Sequence, residues 1–353
     1  KSAPSRRPRL PRLKAPSAAV KAACIARYGG PGVLELRDLP VPVPGPGDLL
    51  VKVRAASVNP IDFKIRQGKV RVILPYRLPL VLGNDLSGEV VGVGTGVTRF
   101  RPGDAVYARL DKTRIGAFAE FALVRDRDAA DMPPSLDFVQ SASLPLAGLT
   151  AWQALVEIAE LQAGQQVLIH AGSGGVGSLA IQIAKARGAF VAATAGARNL
   201  DLVRSLGADR VIDYAKERFE DALRELDVVF DTIAGDVQHR SFAVLKRGGI
   251  LIDVAGMPTP AFARRRGLNP LVTFALRWMT RRSAALARTR GVRYEYLFME
   301  PSGTQLEALS ALVAEGKLRP VLGRVFPFER IAEAIAEVEG GHATGKVVVR
   351  MDG

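Results

Sequence analysis

Cysteine occurs once in 353 residues and histidine three times. A single cysteine, Cys24, excludes an internal disulfide and any multi-cysteine metal site. It lies in an apolar run, where a packed and inert thiol is expected. Cysteine this scarce fits a reducing compartment. His170, His239 and His342 are scattered along the chain, and each reads as structural rather than as a metal ligand. No uninterrupted apolar run is long enough to span a bilayer, and there is no secretory signal pattern. Acidic residues are missing from two stretches. Residues 1–21 carry +7 and residues 254–294 carry +9, so a net charge of +14 leaves −2 on the rest. A near-neutral body with two basic segments argues against a whole-surface nucleic-acid binder.

Glycine, by contrast, is abundant and well placed. Residues 166–188 read as strand, tight turn and helix. Val167, Leu168 and Ile169 form the short apolar run of a buried parallel strand. Gly172, Ser173, Gly174, Gly175, Val176 and Gly177 then give a G-x-G-x-x-G turn. Val176, Leu179, Ala180, Ile183 and Ala184 follow at helical spacing. A dinucleotide pyrophosphate must approach backbone N–H groups more closely than a Cβ allows. The helix start then offers it unpaired N–H groups and a positive dipole end.

Around this motif the chain divides. Residues 1–20 combine four prolines with arginines and serines and read as a disordered basic tail. Their composition is similar to a transit peptide, but the prolines oppose the amphipathic helix that such peptides form. Residues 21–146 show short β-type runs between Gly/Pro turns, which predicts a β-rich, barrel-like domain. From residue 147 helices and strands alternate. Helices are predicted over 150–158, 200–206, 216–226, 237–245 and 302–315. Strands are predicted over 189–194, 210–214, 228–233, 250–255 and 292–298. With the motif strand they make a six-stranded, doubly wound parallel sheet. Residues 319–353, with a last strand over 346–350, are expected to return to the first domain.

Several motifs in this order resemble the medium-chain dehydrogenase/reductase superfamily, and within it the zinc-independent quinone oxidoreductase (zeta-crystallin-like) branch. They lie in residues 56–68 (with Asn59, Pro60 and Asp62), 81–91, 101–107, 147–152, 171–177, 205–209 and 345–347. The resemblance covers everything after the tail and implies a GroES-like catalytic domain beside a Rossmann NADP-binding domain, residues 147–318. It also implies a homodimer paired along the strand over 292–298. Where the superfamily's zinc enzymes carry a cysteine and a His-Glu pair, this chain has Pro60, Asn84 and Asp85, so no metal is expected. Without a Lewis acid, reduction of an already electrophilic carbon fits better than alcohol oxidation.

NAD-specific sites place an acid after the second strand, about 20 residues beyond the turn. Here no acid lies between Glu160 and Asp201. Thr194 and Arg198 stand there instead, and a guanidinium suits the 2′-phosphate of NADPH. The resemblance adds Tyr214 beside the adenosine phosphate. It sets Asn59 and Thr150 near nicotinamide and acceptor carbonyl, with Asp62 fixing the loop. Val254, Ala255 and Gly256, at a strand's carboxyl end, border the nicotinamide. Lys346 either approaches the cofactor or lies along the last strand. The expected reaction is hydride transfer from NADPH to a quinone or an α,β-unsaturated carbonyl, in the cytoplasm.

Residues 257–293 are longer and more basic than the resemblance implies. Leu271, Phe274, Ala275, Trp278 and Met279 share one helical face and Arg277, Arg281 and Arg288 another, which describes a basic amphipathic helix. Either it docks on an anionic membrane, or its apolar face packs over the cleft or a dimer partner. A rival reading of the whole chain is a non-catalytic NADPH-binding protein acting through its basic segments on RNA or membrane.

Overall fold

A computed structural model describes residues 19–341 and 343–351. The basic tail and His342 therefore lie outside the described residues, except that Ala19 and Val20 already belong to the strand Ala19–Ile25. The fold is mixed α/β with three sheets. A six-stranded parallel sheet runs in the order Arg210–Asp213, Phe190–Ala195, Gln166–Ile169, Leu226–Asp231, Leu245–Asp253, Arg293–Tyr296. Val167, Leu168 and Ile169 are fully buried, as a strand covered on both faces requires.

A seven-stranded, mostly antiparallel sheet holds Asp48–Val58 at its centre. It takes in the strands between residues 85 and 131, and the chain returns to it with Leu322–Pro327 and Lys346–Arg350. Ala19–Ile25, Leu34–Pro40 and Leu80–Val81 make a small third sheet. Cys24 is buried within it, and burial pushes its thiol up, as for an inert packed side chain.

Several elements differ from their predicted bounds for local reasons. The helix expected over 150–158 starts earlier, as Pro145–Trp152, because Pro145 fits its first turn; wider turns continue it to Ile158. The helix expected over 216–226 shrinks to Phe219–Ala222. Glu225 takes a positive φ of 56°, and the strand begins at Leu226. That strand ends at Asp231, whose carboxylate accepts from Ile233 N and Ala234 N and turns the chain. The helix expected over 237–245 is Gly235–Ser241, and the strand after it opens at Leu245. The edge strand is shorter than expected, Arg293–Tyr296. The basic segment is not one helix but three, Pro260–Arg265, Pro270–Met279 and Arg281–Arg290, the first two opened by prolines. Among the described residues of the single chain nothing covers the apolar face: Leu271, Phe274 and Trp278 are 77, 71 and 63% exposed, and Leu276 is the residue turned inward. No helix among the described residues is long and apolar enough to cross a membrane.

Candidate active site

The glycine turn is built as its spacing predicts. Ala171 takes φ +50°, and Gly174 caps the helix Gly175–Ala186. A Cβ on Gly177 would lie 2.2 Å from Ala171 O, so only glycine lets the turn fold back on the helix. A Cβ on Gly172 would stand 3.1 Å from both Ala193 Cβ and Ile181 Cδ1. The main chain is thus bare where a pyrophosphate would meet the first N–H groups of the helix. Thr194 does not face this surface. It is buried, and its Oγ1 accepts from Ala171 N at 3.2 Å and contacts His170 Nδ1 at 3.2 Å. Thr194 therefore shapes the turn from behind. His170 is sealed between Thr194 and Ser241, and burial lowers it to about 3, so it is neutral and structural. His239 lies on the helix Gly235–Ser241.

At the end of the second strand, Gly196 is covered by the ring of Tyr214, whose hydroxyl would stand 3.1 Å from a Cβ there. Tyr214 is 68% exposed, and Arg198 is exposed two residues along with no ion-pair partner among the described residues. Glycine, phenol and free guanidinium together form a surface that could hold a phosphate on the ribose.

The loop of Val254, Ala255 and Gly256 wraps around Asp253. The Asp253 carboxylate accepts from Ala255 N at 2.9 Å and Gly256 N at 2.8 Å, and from Gln238 and Tyr294 through its other oxygen. Ser283, on the last helix of the basic segment, donates to Gln238 Oε1 at 2.8 Å. The basic segment is therefore tied into this loop by hydrogen bonds. Asp253, Gln238 and Ser283 carried no sequence signal, because they meet only through the sheet order.

The other half of the cleft is a buried cluster of charge. Ser57, Asp85 and Arg109 lie side by side across three paired strands. Asp85 Oδ2 accepts from Ser57 Oγ and Asn59 Nδ2, both at 2.9 Å, and its Oδ1 accepts from Leu146 N at 3.0 Å. Lys346 is buried; its Nζ donates to Asn59 Oδ1 at 2.5 Å and stands 3.8 Å from Asp85 Oδ2. Its stem lies against Gly175, where a Cβ would meet Lys346 Cδ at 2.5 Å. Gly345 N donates to Ser173 O at 2.8 Å, so the last strand is laced to the glycine turn.

Asp62 closes a capping box on the helix Pro60–Arg66, accepting from Asn59 N at 2.7 Å and from Asn84 Nδ2 at 2.7 Å. Burial pushes its carboxyl up to about 7, against those hydrogen bonds. Burial also raises Asp85 and lowers Lys346, each opposed by the other's charge. Thr150 Oγ1 donates to Leu146 O at 2.6 Å, so its proton is committed to its own helix.

A zinc ion does not fit this donor set. The Lys346 ammonium already fills the cation's place between Asn59 and Asp85. No group of three or more His, Cys, Asp or Glu among the described residues is placed to hold a metal.

On the nucleotide side, beyond the edge strand, Phe262, Tyr296, Phe298 and Glu300 line a cleft of about 300 Å³. Lys112 faces it from the turn after the strand Ala105–Arg109, its Nζ 4.3 Å from the Phe298 ring and paired with Glu300.

Residues 45–134 match the family described as the alcohol dehydrogenase GroES-like domain, and residues 206–349 the one described as zinc-binding dehydrogenase. The chain is 39% identical over 341 residues to the NADPH-dependent alkenal/one oxidoreductase, chloroplastic, of Arabidopsis thaliana, covering 94% of this chain and 79% of that protein. It is 36% identical over 350 residues to the NAD(P)H oxidoreductase RTN4IP1, mitochondrial, of Mus musculus, covering 93% and 88%. Among solved structures, the quinone oxidoreductase from Coxiella burnetii superposes with a TM-score of 0.82 at 36% identity, covering 94% of this chain and 99% of that one.

Proposed function

This chain belongs to the zinc-independent quinone oxidoreductase branch of the medium-chain dehydrogenase/reductase superfamily, and from that premise we propose that it is an NADPH-dependent reductase of quinones or α,β-unsaturated carbonyls. The observation that carries the reading is the junction of the bare glycine turn with the charged cluster, made by Gly345 and Lys346. Residues 147–318 form the nucleotide-binding domain in this reading, and residues 21–146 with 319–353 the catalytic one. Gly172, Ser173, Gly174, Gly175, Val176 and Gly177 take the pyrophosphate on main-chain N–H groups. Arg198 and Tyr214 take the 2′-phosphate, with Thr194 fixing the turn between them. Val254, Ala255 and Gly256 border the nicotinamide.

Bound there, NADPH supplies the hydride. The protein's own work is positioning and electrostatics. Asn59, Lys346 and Thr150 hold the floor of the site in one arrangement, and Asp62 holds the loop that carries Asn59. Loss of NADPH absorbance against a panel of quinones and enones, with a chelator present, tests the reading. Turnover that persists with chelator and favours NADPH over NADH supports it; no acceptor reduced on the panel rejects it.

Two finer readings rest on the surface. The edge strand Arg293–Tyr296 pairs on one side only among the described residues, and a second copy pairing there makes a homodimer. The ridge of Leu271, Phe274 and Trp278, with Arg281 stacked 4.2 Å over the Trp278 ring, docks on an anionic membrane. The acid-free arginines around it favour a bilayer over a second copy, because a symmetric contact would set like charges face to face. Co-sedimentation with vesicles with and without anionic lipid separates the cases; pelleting that ignores both lipid charge and salt removes the membrane reading.

A further inference from the structure

The polar groups expected at the reacting end are already committed. Asn59 gives its N–H groups to Asp85 and Ser57 O and receives Lys346 on its oxygen. Thr150 gives its proton to Leu146 O. One charged side chain of the cluster is different. Arg109 is 3% exposed, yet its only hydrogen bond among the described residues runs from Nη1 to Leu110 O, and its Nε has no partner. No carboxylate among the described residues lies within ion-pair distance of it. Arg66, the other arginine buried to this degree, is paired with Glu339 at 2.6 Å. A buried guanidinium left unpaired is strongly destabilising in general, and such a group calls for an ion or ligand that uses it.

Its surroundings say what it would use. Asp85 is its cross-strand neighbour, and the charges of Asp85 and Asp62 oppose the effect of burial on it; the Tyr76 phenol, which burial keeps un-ionised, lies nearby. The Tyr76 hydroxyl donates to Lys112 O at 2.6 Å, and Lys112 faces the aromatic cleft. Arg109 thus sits beside the charged floor and near the tyrosine that reaches Lys112, with its Nε donor unspent.

We propose that Arg109 is the electrophilic residue of the acceptor site: its guanidinium binds the acceptor oxygen and stabilises the negative charge that arrives with the hydride. The inference rests on the reductase reading above. The hydride brings two electrons to the electrophilic carbon, the π electrons move onto the oxygen, and an enolate or hydroquinone monoanion results. A proton from water then completes the reduced product. Arg109 remains protonated throughout and meets the charge in a buried setting, where such a donor is worth most.

Two measurements test this. The first needs no variant. A chromogenic phenol that titrates near neutrality mimics the oxyanion, and its phenol-to-phenolate change is read by absorbance in the wild-type complex with NADP⁺. The bound phenol is expected to ionise at lower pH than in water; an unshifted titration, or no binding, overturns the proposal. The second compares Arg109→Met and Arg109→Lys. Met is expected to lower turnover by about a hundredfold to a thousandfold while NADPH affinity changes less than twofold, and Lys to restore part of the loss. A folded Arg109→Met that turns over at near wild-type rate also overturns it. If no quinone or enone is reduced but the phenol shift is present, the choice of reaction fails and the oxyanion site stands.

Discussion

The two ends of the cleft are built from different material. At the glycine turn the binding surface is main chain, drawn from one continuous stretch, and the structure works by leaving Cβ atoms out. At the charged cluster the surface is side chain, gathered from residues 57–62, 84–85, 109, 146–150 and 346, and the structure works by burying charge. The first arrangement needs only a local backbone path. The second needs a closed balance of ions, because each charge removed from water must be met by a partner. Lys346 belongs to both ends: its stem packs on Gly175 and its ammonium meets Asn59.

That difference can be broken most severely at Lys346. Lys346→Met leaves Asp85 buried without its cation and is expected to cost about 3–5 kcal/mol in chemical denaturation. Adding Asp85→Asn should return much of that loss, since the orphaned charge goes with it. Equal losses in the single and double variants would deny that the pair is coupled.

Arg198→Ala sharpens the contrast from the nucleotide end. Losing a charge-assisted contact of about 1.5–3 kcal/mol should weaken NADPH roughly ten- to a hundredfold by calorimetry and leave NADH unchanged. Stability should not move, because Arg198 is exposed and unpaired among the described residues. A parallel loss of NADH affinity would assign Arg198 to something other than the 2′-phosphate.

The last effect is a slope. Burial raises Asp62 from 3.8 to about 7, so in that window the folded chain holds a proton that the unfolded chain has released. Stability should therefore fall as pH rises from about 4 to 7, by no more than about 1.4 kcal/mol per pH unit for one proton. Asp62→Asn should flatten this part of the profile. An unchanged slope in the variant would move the titration to another carboxylate, such as Asp231, which burial raises to about 6.

Most of the architecture was legible in advance because it follows from periodicity. Apolar runs gave the parallel strands, and their alternation with helices gave the doubly wound sheet. Bounds slipped where a single residue decides an end, as Pro145 does by starting a helix early and Asp231 by stopping a strand. Asn59, Asp62, Thr150 and Lys346 were visible through a family pattern; hydrogen bonds join Asn59 to Asp62 and to Lys346, while Thr150, among the described residues, bonds only within its own helix. Arg109 was not visible. It stands in an ordinary strand, and nothing in its neighbours announces that its partner is missing. Asp253, Gln238 and Ser283 escaped notice for the same reason. The ridge at Leu271, Phe274 and Trp278 was foreseen as amphipathic, with an exposed and a covered face both left open, because periodicity describes a face and not what covers it.

The sequence by itself determined the nucleotide turn, since a glycine's missing Cβ is a property of the residue and of its near neighbours. It determined too that the basicity is confined to two segments and that thiolate ligands are too few for zinc. Only the tertiary structure decided which charges are paired. Ion pairing under burial depends on distances between strands far apart in the chain, and those distances exist only once the sheet has formed.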